Sequence, residues 1–305
     1  MFDPLSDVLA LLDARGVPSL GLVAGGDWSV RVPAYEGLKF NAVMRGQGWL
    51  AVDGVAGPLR LLAGDCFMLA KGSSFVIASD LDLLPVDAAV VFADPVNGMA
   101  RLGTGDECMI IGGRITIDVV AASLLVDALP AVVHLPAASD RASSVQWLLA
   151  RLTGEREAMR PGGEALAGHL IHMLFIELMR VHLLDHDGSQ SGWLGALTDH
   201  RIGAALSRLH EAPARDWSLS ELAQIAGMSR SNFALRFKAT VGMPPLEYLA
   251  RWRMQLARHA LLHRTSSVGE IARSTGYASE SAFGAAFKRI FKQSPRRYRS
   301  NQLPI

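Results

Sequence analysis

The feature that most constrains this chain of 305 residues is an internal repeat near its carboxy terminus. Leu222, Ala223 and Gly227 recur as Ile271, Ala272 and Gly276, an offset of 49, whereas Ser231, Phe233, Phe237, Lys238, Pro245 and Tyr248 recur as Ser281, Phe283, Phe287, Lys288, Pro295 and Tyr298, an offset of 50. One residue has entered the turn between the two groups. Each copy reads as a short helix (219–226; 268–275), a glycine turn, a serine N-cap (Ser229; Ser279) and a second helix (230–240; 280–291). This is a helix-turn-helix pattern occurring twice, at about 219–240 and 268–291.

Spacing assigns faces to the second helices. Phe233 and Phe237, like Phe283 and Phe287, are four apart and share one side, where they are expected to seat each helix on its partner. The remaining positions are candidates for contact with DNA: Ser229, Arg230, Ser231, Asn232, Ala234, Arg236 and Lys238 in the first copy, and Ser279, Glu280, Ser281, Ala282, Ala285 and Lys288 in the second. The first set carries groups that hydrogen-bond base edges; the second is small enough to approach thymine methyls, or is simply solvent-facing. Residues 246–262 form an uninterrupted helical pattern of 17 residues between the copies. At 1.5 Å per residue it spans ~26 Å, close to the ~34 Å between successive major-groove segments on one face of DNA.

Charge points the same way. Residues 1–190 hold 13 Lys/Arg against 22 Asp/Glu, a balance of −9, and residues 191–305 hold 17 against 7, a balance of +10. A compact, arginine-rich third of a chain suits a polyanion, because each cation near a phosphate displaces condensed counterions.

Upstream the pattern is different. From Leu20 to about His134, short apolar runs are punctuated by glycine, which favours strands and turns. Residues 49–52 and 59–62 read as a hairpin turning at Asp53-Gly54, and so many short strands predict a sandwich or small barrel. Residues 139–153 and 163–184 are helical by period. Leu166, Leu170, Ile171, Leu174 and Leu178 give the second helix an apolar face wide enough to be a candidate homodimer interface. Residues 185–192 lack large apolar side chains and read as a linker.

Residues 218–299 resemble the DNA-binding domain of the AraC/XylS family of bacterial transcription regulators. The resemblance rests on Ser218-Leu219-Ser220-Glu221-Leu222-Ala223, Gly227-Met228-Ser229-Arg230-Ser231, Phe237-Lys238, Val268-Gly269-Glu270-Ile271-Ala272, Gly276-Tyr277 and Ser294-Pro295-Arg296-Arg297-Tyr298-Arg299. It implies a reader with two helix-turn-helix units, the first usually the more sequence-selective. The front of the chain resembles the cupin-type sensor barrel of one branch of that family: Gly64 and Gly72 follow the second cupin motif, and Gly46 with Gly54 the first. The proline, histidine and asparagine positions of the second motif hold Ala70, Phe75 and Ser79, and the glutamate position of the first holds Lys39.

The chain is therefore expected to be an α+β multidomain protein: a cupin-like β-barrel (1–136), a helical dimerisation segment (137–186), a linker (187–193) and an all-α domain with two helix-turn-helix units (194–305). The expected function is that of a cytoplasmic, sequence-specific transcription regulator of bacterial type, not an enzyme, with promoter DNA, a second copy of itself and RNA polymerase as candidate partners. No catalytic residues, cofactor or metal are expected, since no histidine precedes His134 to build the usual cupin ligand set. Phe40, Asn41, Arg45, Trp49, Phe67, Phe75 and Ile77 are candidate lining for a pocket holding a small hydrophobic effector, and Cys66 with Cys108 is a candidate redox pair. Two other readings stay open: a constitutive DNA-binding regulator whose barrel only dimerises, and a barrel enzyme fused to a DNA-binding domain. No apolar run suggests a membrane span or signal peptide.

Overall fold

Two β-sheets face each other across an apolar interior between residues 15 and 135 of the computed structural model, which describes residues 3–12, 14–117, 125, 126, 128–185, 192–263 and 265–302. The larger sheet runs β10 (Met99–Gly103), β2 (Gly21–Gly25), β11 (Cys108–Thr116), β4 (Leu38–Arg45), β7 (Cys66–Leu69), β12 (Val132–Leu135), with β1 (Arg15–Pro18) added to β11. The smaller runs β6 (Leu59–Leu62), β5 (Gln47–Val52), β8 (Phe75–Ala78), β3 (Ser29–Val32), β9 (Val86–Asp87). The expected hairpin is β5–β6, paired antiparallel with Leu50 opposite Leu59.

Strand alternation sorts side chains between two environments. Leu22, Val43, Phe67 and Leu69 of the larger sheet meet Val30, Leu50, Phe75 and Ile77 of the smaller in the interior. Phe40 points from β4 to the other face, where its ring lies with Ile171 against Gly113. That outer face is covered by a helical hairpin, α3 (Ser143–Ala158) and α4 (Gly163–Asp185). A short helix, α2 (Ala88–Val91), lies near β3 and β10. Helix α4 crosses β1 closely enough that a Cβ on Gly16 would collide with the carbonyl oxygen of Gly168.

The wide apolar face of α4 thus has its partner within the unit. Leu170, Ile171, Leu174 and Leu178 are buried there, so these four are not available as a surface, and only Leu166 of the expected interface is exposed. Helix α4 is long and apolar enough to cross a membrane, but about half of it is packed inside the protein.

The chain divides into two units, Asp13–Asp185 and Met1–Leu12 with His186–Ile305. This departs from the expected boundaries. The hairpin 143–185 belongs with the barrel because it closes the larger sheet. Helix α1 (Pro4–Leu11) belongs with the carboxy-terminal helices, burying Leu5, Val8 and Leu9 beside α6 (His200–Glu211) and α9 (Pro245–His263). The expected linker lies mostly outside the described residues.

The repeat is structural. Helices α7 (Leu219–Ile225) and α10 (Val268–Ser274) begin on identical capping boxes, Ser218 with Glu221 and Ser267 with Glu270. Helices α8 (Arg230–Val241) and α11 (Glu280–Phe291) begin on Ser229 and Ser279, whose hydroxyls accept from the N–H of Asn232 and Ala282. Both helices end in a left-handed residue, Gly242 in one and Lys292 in the other. Helix α5 (Trp193–Thr198) leads into the first unit and α12 (Pro295–Gln302) closes the second.

The turn glycines are alike in backbone but not in surroundings. Both have positive φ, +61° at Gly227 and +81° at Gly276. A Cβ on Gly227 meets nothing, whereas on Gly276 it would come within 2.5 Å of the Ala214 carbonyl oxygen. Gly227→Ala should therefore cost only the left-handed penalty, about 1–2 kcal/mol. Gly276→Ala should cost visibly more, as measured by urea denaturation of the two variants. Equal losses would mean that the second turn relaxes freely.

Candidate nucleic-acid interface and interior cavity

Helices α8 and α11 are each fixed by a pair of wholly buried phenylalanines. Phe233 and Phe237 have ring centroids 5.6 Å apart and Phe283 and Phe287 5.8 Å, both pairs below 1% exposed. Each aromatic removes ~150–250 Å² from water, so helix rotation would be costly and the opposite faces are set. Ser231, Asn232 and Lys238 stay exposed on α8, and Ser281, Ala282, Ala285 and Lys288 on α11; Arg230 and Glu280 stand exposed at the helix starts. Ser229 and Ser279 serve as N-caps, and Ala234 is half-buried.

Three features change the expected picture. Arg236 is tied to Asp199, with Nη2 at 2.7 Å and Nε at 3.2 Å from the same carboxylate oxygen. Asp199 is the N-cap of α6; burial pushes its carboxyl up, but hydrogen bonds from the Ile202 amide, Arg236 and the Arg201 amide outweigh this and hold it below the usual carboxylate range. Arg236 therefore fastens α8 to α6, a partnership between distant positions that no local pattern announces. Glu280 is paired with Arg296 at 3.0 Å. Leu235, absent from the expected set, is 71% exposed on the side of α8 away from the phenylalanines, three residues beyond Asn232. The same helical period that placed the phenylalanines would have found it.

Much of the positive charge is structural. Arg253 donates to the Pro213 and Arg215 carbonyls, Arg258 to the Tyr298 hydroxyl at 2.6 Å, and Arg299 to the Leu261 and Ser266 carbonyls. Among the described residues Arg230, Lys238, Lys288 and Arg289 are exposed with no carboxylate holding them, two on or beside each second helix.

Beneath α8 runs a buried polar chain. Trp193 Nε1 donates to the Tyr248 hydroxyl at 2.8 Å, which bonds His210 Nε2 at 2.6 Å, while His210 Nδ1 faces Asp7 of α1 at 3.1 Å. Burial lowers the His210 pKa to about 3, so the ring is neutral. A neutral ring that accepts from the tyrosine at Nε2 must donate from Nδ1 to Asp7, which satisfies every member. The Tyr248 ring lies edge-on to Phe237 at 6.0 Å, linking this chain to the seat of α8.

In the other unit the interior opens into a cavity of about 400 Å³. Of the seven candidate lining residues it is bounded by Asn41, Phe75 and Ile77, while Phe67 belongs to the solid part of the core. Phe40 faces α4; Trp49 lies outside, within 6.0 Å of Arg60; Arg45 is at the surface, paired with Asp106. A one-residue shift along a strand exchanges interior for exterior, and the sequence did not fix the register. The cavity is also lined by Tyr35, Lys39, Ile110, Ile111 and Arg114, which sequence reasoning missed.

Cys108 lies in the interior, whereas Cys66 alternates with the inward Phe67 and faces away. They lie on opposite faces of one sheet and cannot pair directly. Burial raises both thiols, Cys108 to about 11 and Cys66 further, so neither has thiolate character. Among the described residues no three His, Cys, Asp or Glu side chains gather as metal ligands. His134 instead bonds Asp65 at 3.2 Å.

A cupin family model matches residues 3–184 and a helix-turn-helix domain model residues 222–301. A protein of Streptomyces lividans named as an AraC-like transcription regulator is 44% identical over 98% of both chains. One of the same name from Streptomyces antibioticus is 44% identical over 99% of this chain and 100% of its own. The HTH-type transcriptional regulator AlkR of Acinetobacter baylyi is 32% identical over 97% of this chain and 99% of its own.

The chain of hydrogen bonds beneath α8 has a pH signature. With His210 depressed from its ordinary ~6.5, the unfolded chain binds a proton that the folded chain refuses. This contribution is fully present above about pH 6.5 and is lost as pH falls toward 3, by up to about 1.4 kcal/mol per pH unit. Asp7, raised by burial and by Asp3, acts in the opposite sense at lower pH. Between about pH 6.5 and 5, His210→Gln should therefore flatten the decline in urea-unfolding free energy. An unchanged slope would refute a neutral buried ring.

Proposed function

Because the chain belongs to the AraC-like family of helix-turn-helix transcription regulators, we propose that α8 and α11 enter successive major-groove segments of promoter DNA. The chain is a sequence-specific DNA-binding transcription regulator and not an enzyme. The observation that carries the finer reading is the twinned seating of the two helices, each with its polar or small face exposed opposite buried phenylalanines.

On this reading Ser231, Asn232 and Leu235 read base edges and a thymine methyl, and Arg236 positions α8 through Asp199. Ser281, Ala282 and Ala285 make the close, weakly discriminating approach of the second helix. Arg230, Lys238, Lys288 and Arg289 meet phosphates. The cupin-type unit acts as the sensor, its cavity holding a small effector, and the regulator works in the bacterial cytoplasm alongside RNA polymerase. Dimerisation runs through the exposed side of the α3–α4 hairpin, where Trp147 (63% exposed) and Met173 (48% exposed) flank an apolar groove, rather than through the buried Leu174 face.

Selection of binding duplexes from a random library by the full chain tests the DNA reading. Against the selected site, Asn232→Ala should cost about 1–3 kcal/mol and relax one position, whereas Lys238→Ala should weaken all sequences and lower the salt slope by about 1. No enrichment over random duplex would overturn it. Trp147→Glu combined with Met173→Glu should give monomers by light scattering. An unmodified protein that is monomeric at micromolar concentration would remove the dimer.

A further inference from the structure

The cavity in the cupin-type unit has a chemical bias. Its walls are mostly aliphatic and aromatic, but the polar side chains that reach it are donors. Lys39 projects from β4 with its Nζ 5.0 Å from the centre of the Tyr35 ring and 5.6 Å from that of Phe75. Arg114 sits directly opposite Lys39 on the neighbouring strand β11. The amide nitrogen of Asn41, two residues along β4, is buried without a hydrogen-bond partner. The Tyr35 hydroxyl already donates to the Leu69 carbonyl at 3.3 Å. Among the described residues no Asp or Glu lines the cavity, and none pairs with Lys39 or Arg114.

Such an arrangement is costly in an empty protein. A half-buried ammonium beside an exposed guanidinium is short of water and has no counter-charge, and an orphaned buried amide donor adds a penalty of its own. Burial and the neighbouring Arg114 both depress the Lys39 pKa, as expected for a cation with no carboxylate beside it. An anion placed among the three would satisfy them together, whereas a cation or a purely apolar molecule would leave them as they are. Lys39 also stands at the position where the cupin motif carries a glutamate. A carboxylate there favours a metal cation; a lysine reverses the sign of what the cavity attracts.

We propose that the effector is a small amphipathic monoanion, its carboxylate or similar acidic group held by Lys39, Arg114 and Asn41, and its apolar body against Phe75, Ile77 and Ile110. At the ~30 Å³ that a water molecule occupies, the cavity of about 400 Å³ takes roughly a dozen non-hydrogen atoms. That fits a medium-length aliphatic or a bicyclic aromatic acid. The proposal rests on the reading of this unit as a sensor, and adds to it the charge and size of what is sensed.

The test is calorimetric titration of the full chain with two matched probe series: octanoate, octanamide and octylamine, and naphthylacetate, naphthylacetamide and naphthylmethylamine. The acids should bind at least about tenfold more tightly than the amides, with the amines weakest, as expected when a charge-assisted hydrogen bond is lost. Lys39→Met, which keeps the packing of the stem, should bring acid and amide to similar affinity by weakening the acid much more than the amide. Arg114→Gln, at an exposed position, gives the same readout should Lys39→Met fail to fold. If amides or amines bind as well as acids, or if the preference survives in the variants, the anion assignment falls and the sensor reading stands. If no member of either series binds, both fall.

Discussion

The exposed faces of the two second helices depend on the burial of two aromatic rings one turn apart on each. Phe233 and Phe237 anchor α8, and Phe283 and Phe287 anchor α11, without a polar atom among them. Apolar burial is strong but non-directional, so orientation comes from shape: a four-residue spacing leaves one rotation of the helix that hides both rings. Capping then fixes where each helix begins, through Ser229 and Ser279, and the tie from Arg236 to Asp199 locks α8 against α6. The side chains proposed to face DNA are largely free of structural duty as a result.

The two units handle buried polar groups in opposite ways. Under α8 the groups of Trp193, Tyr248, His210 and Asp7 form a closed chain in which each donor has an acceptor, and the low dielectric strengthens it. Such a chain rigidifies, which suits a surface that must match a fixed DNA geometry. In the cavity of the cupin-type unit Lys39, Arg114 and Asn41 are left with donors to offer. An unsatisfied site is costly alone and complementary to a ligand, which suits the effector-binding role proposed for it.

The helical hairpin of the cupin-type unit explains how a greasy helix is compatible with its place in the fold. Helix α4 lays its leucine face over the larger sheet, with Gly16 and Gly168 allowing a close crossing and Phe40 meeting Ile171 across Gly113. What stays exposed is the narrower strip with Trp147 and Met173. Apolar periodicity alone does not distinguish a helix that needs a second chain from one that needs a sheet of its own.

The sequence by itself determined the repeat, the helices within it, their serine caps and the two buried faces, because all of these follow from contacts three or four residues apart. It also determined that a stranded region precedes a basic helical one. The strand register was decided only by the tertiary structure: Asn41, Phe75 and Ile77 line the cavity while Phe40 and Trp49 do not, since pairing across sheets selects which alternate residues face inward. The same holds for Arg236, whose partner lies 37 residues away, for Asp7, which joins a network 203 residues distant, and for Lys39 and Arg114, 75 positions apart in the chain and adjacent in the sheet. Local physics writes itself into short spacings; the pairing of distant charges is settled by which strands and helices come to lie side by side.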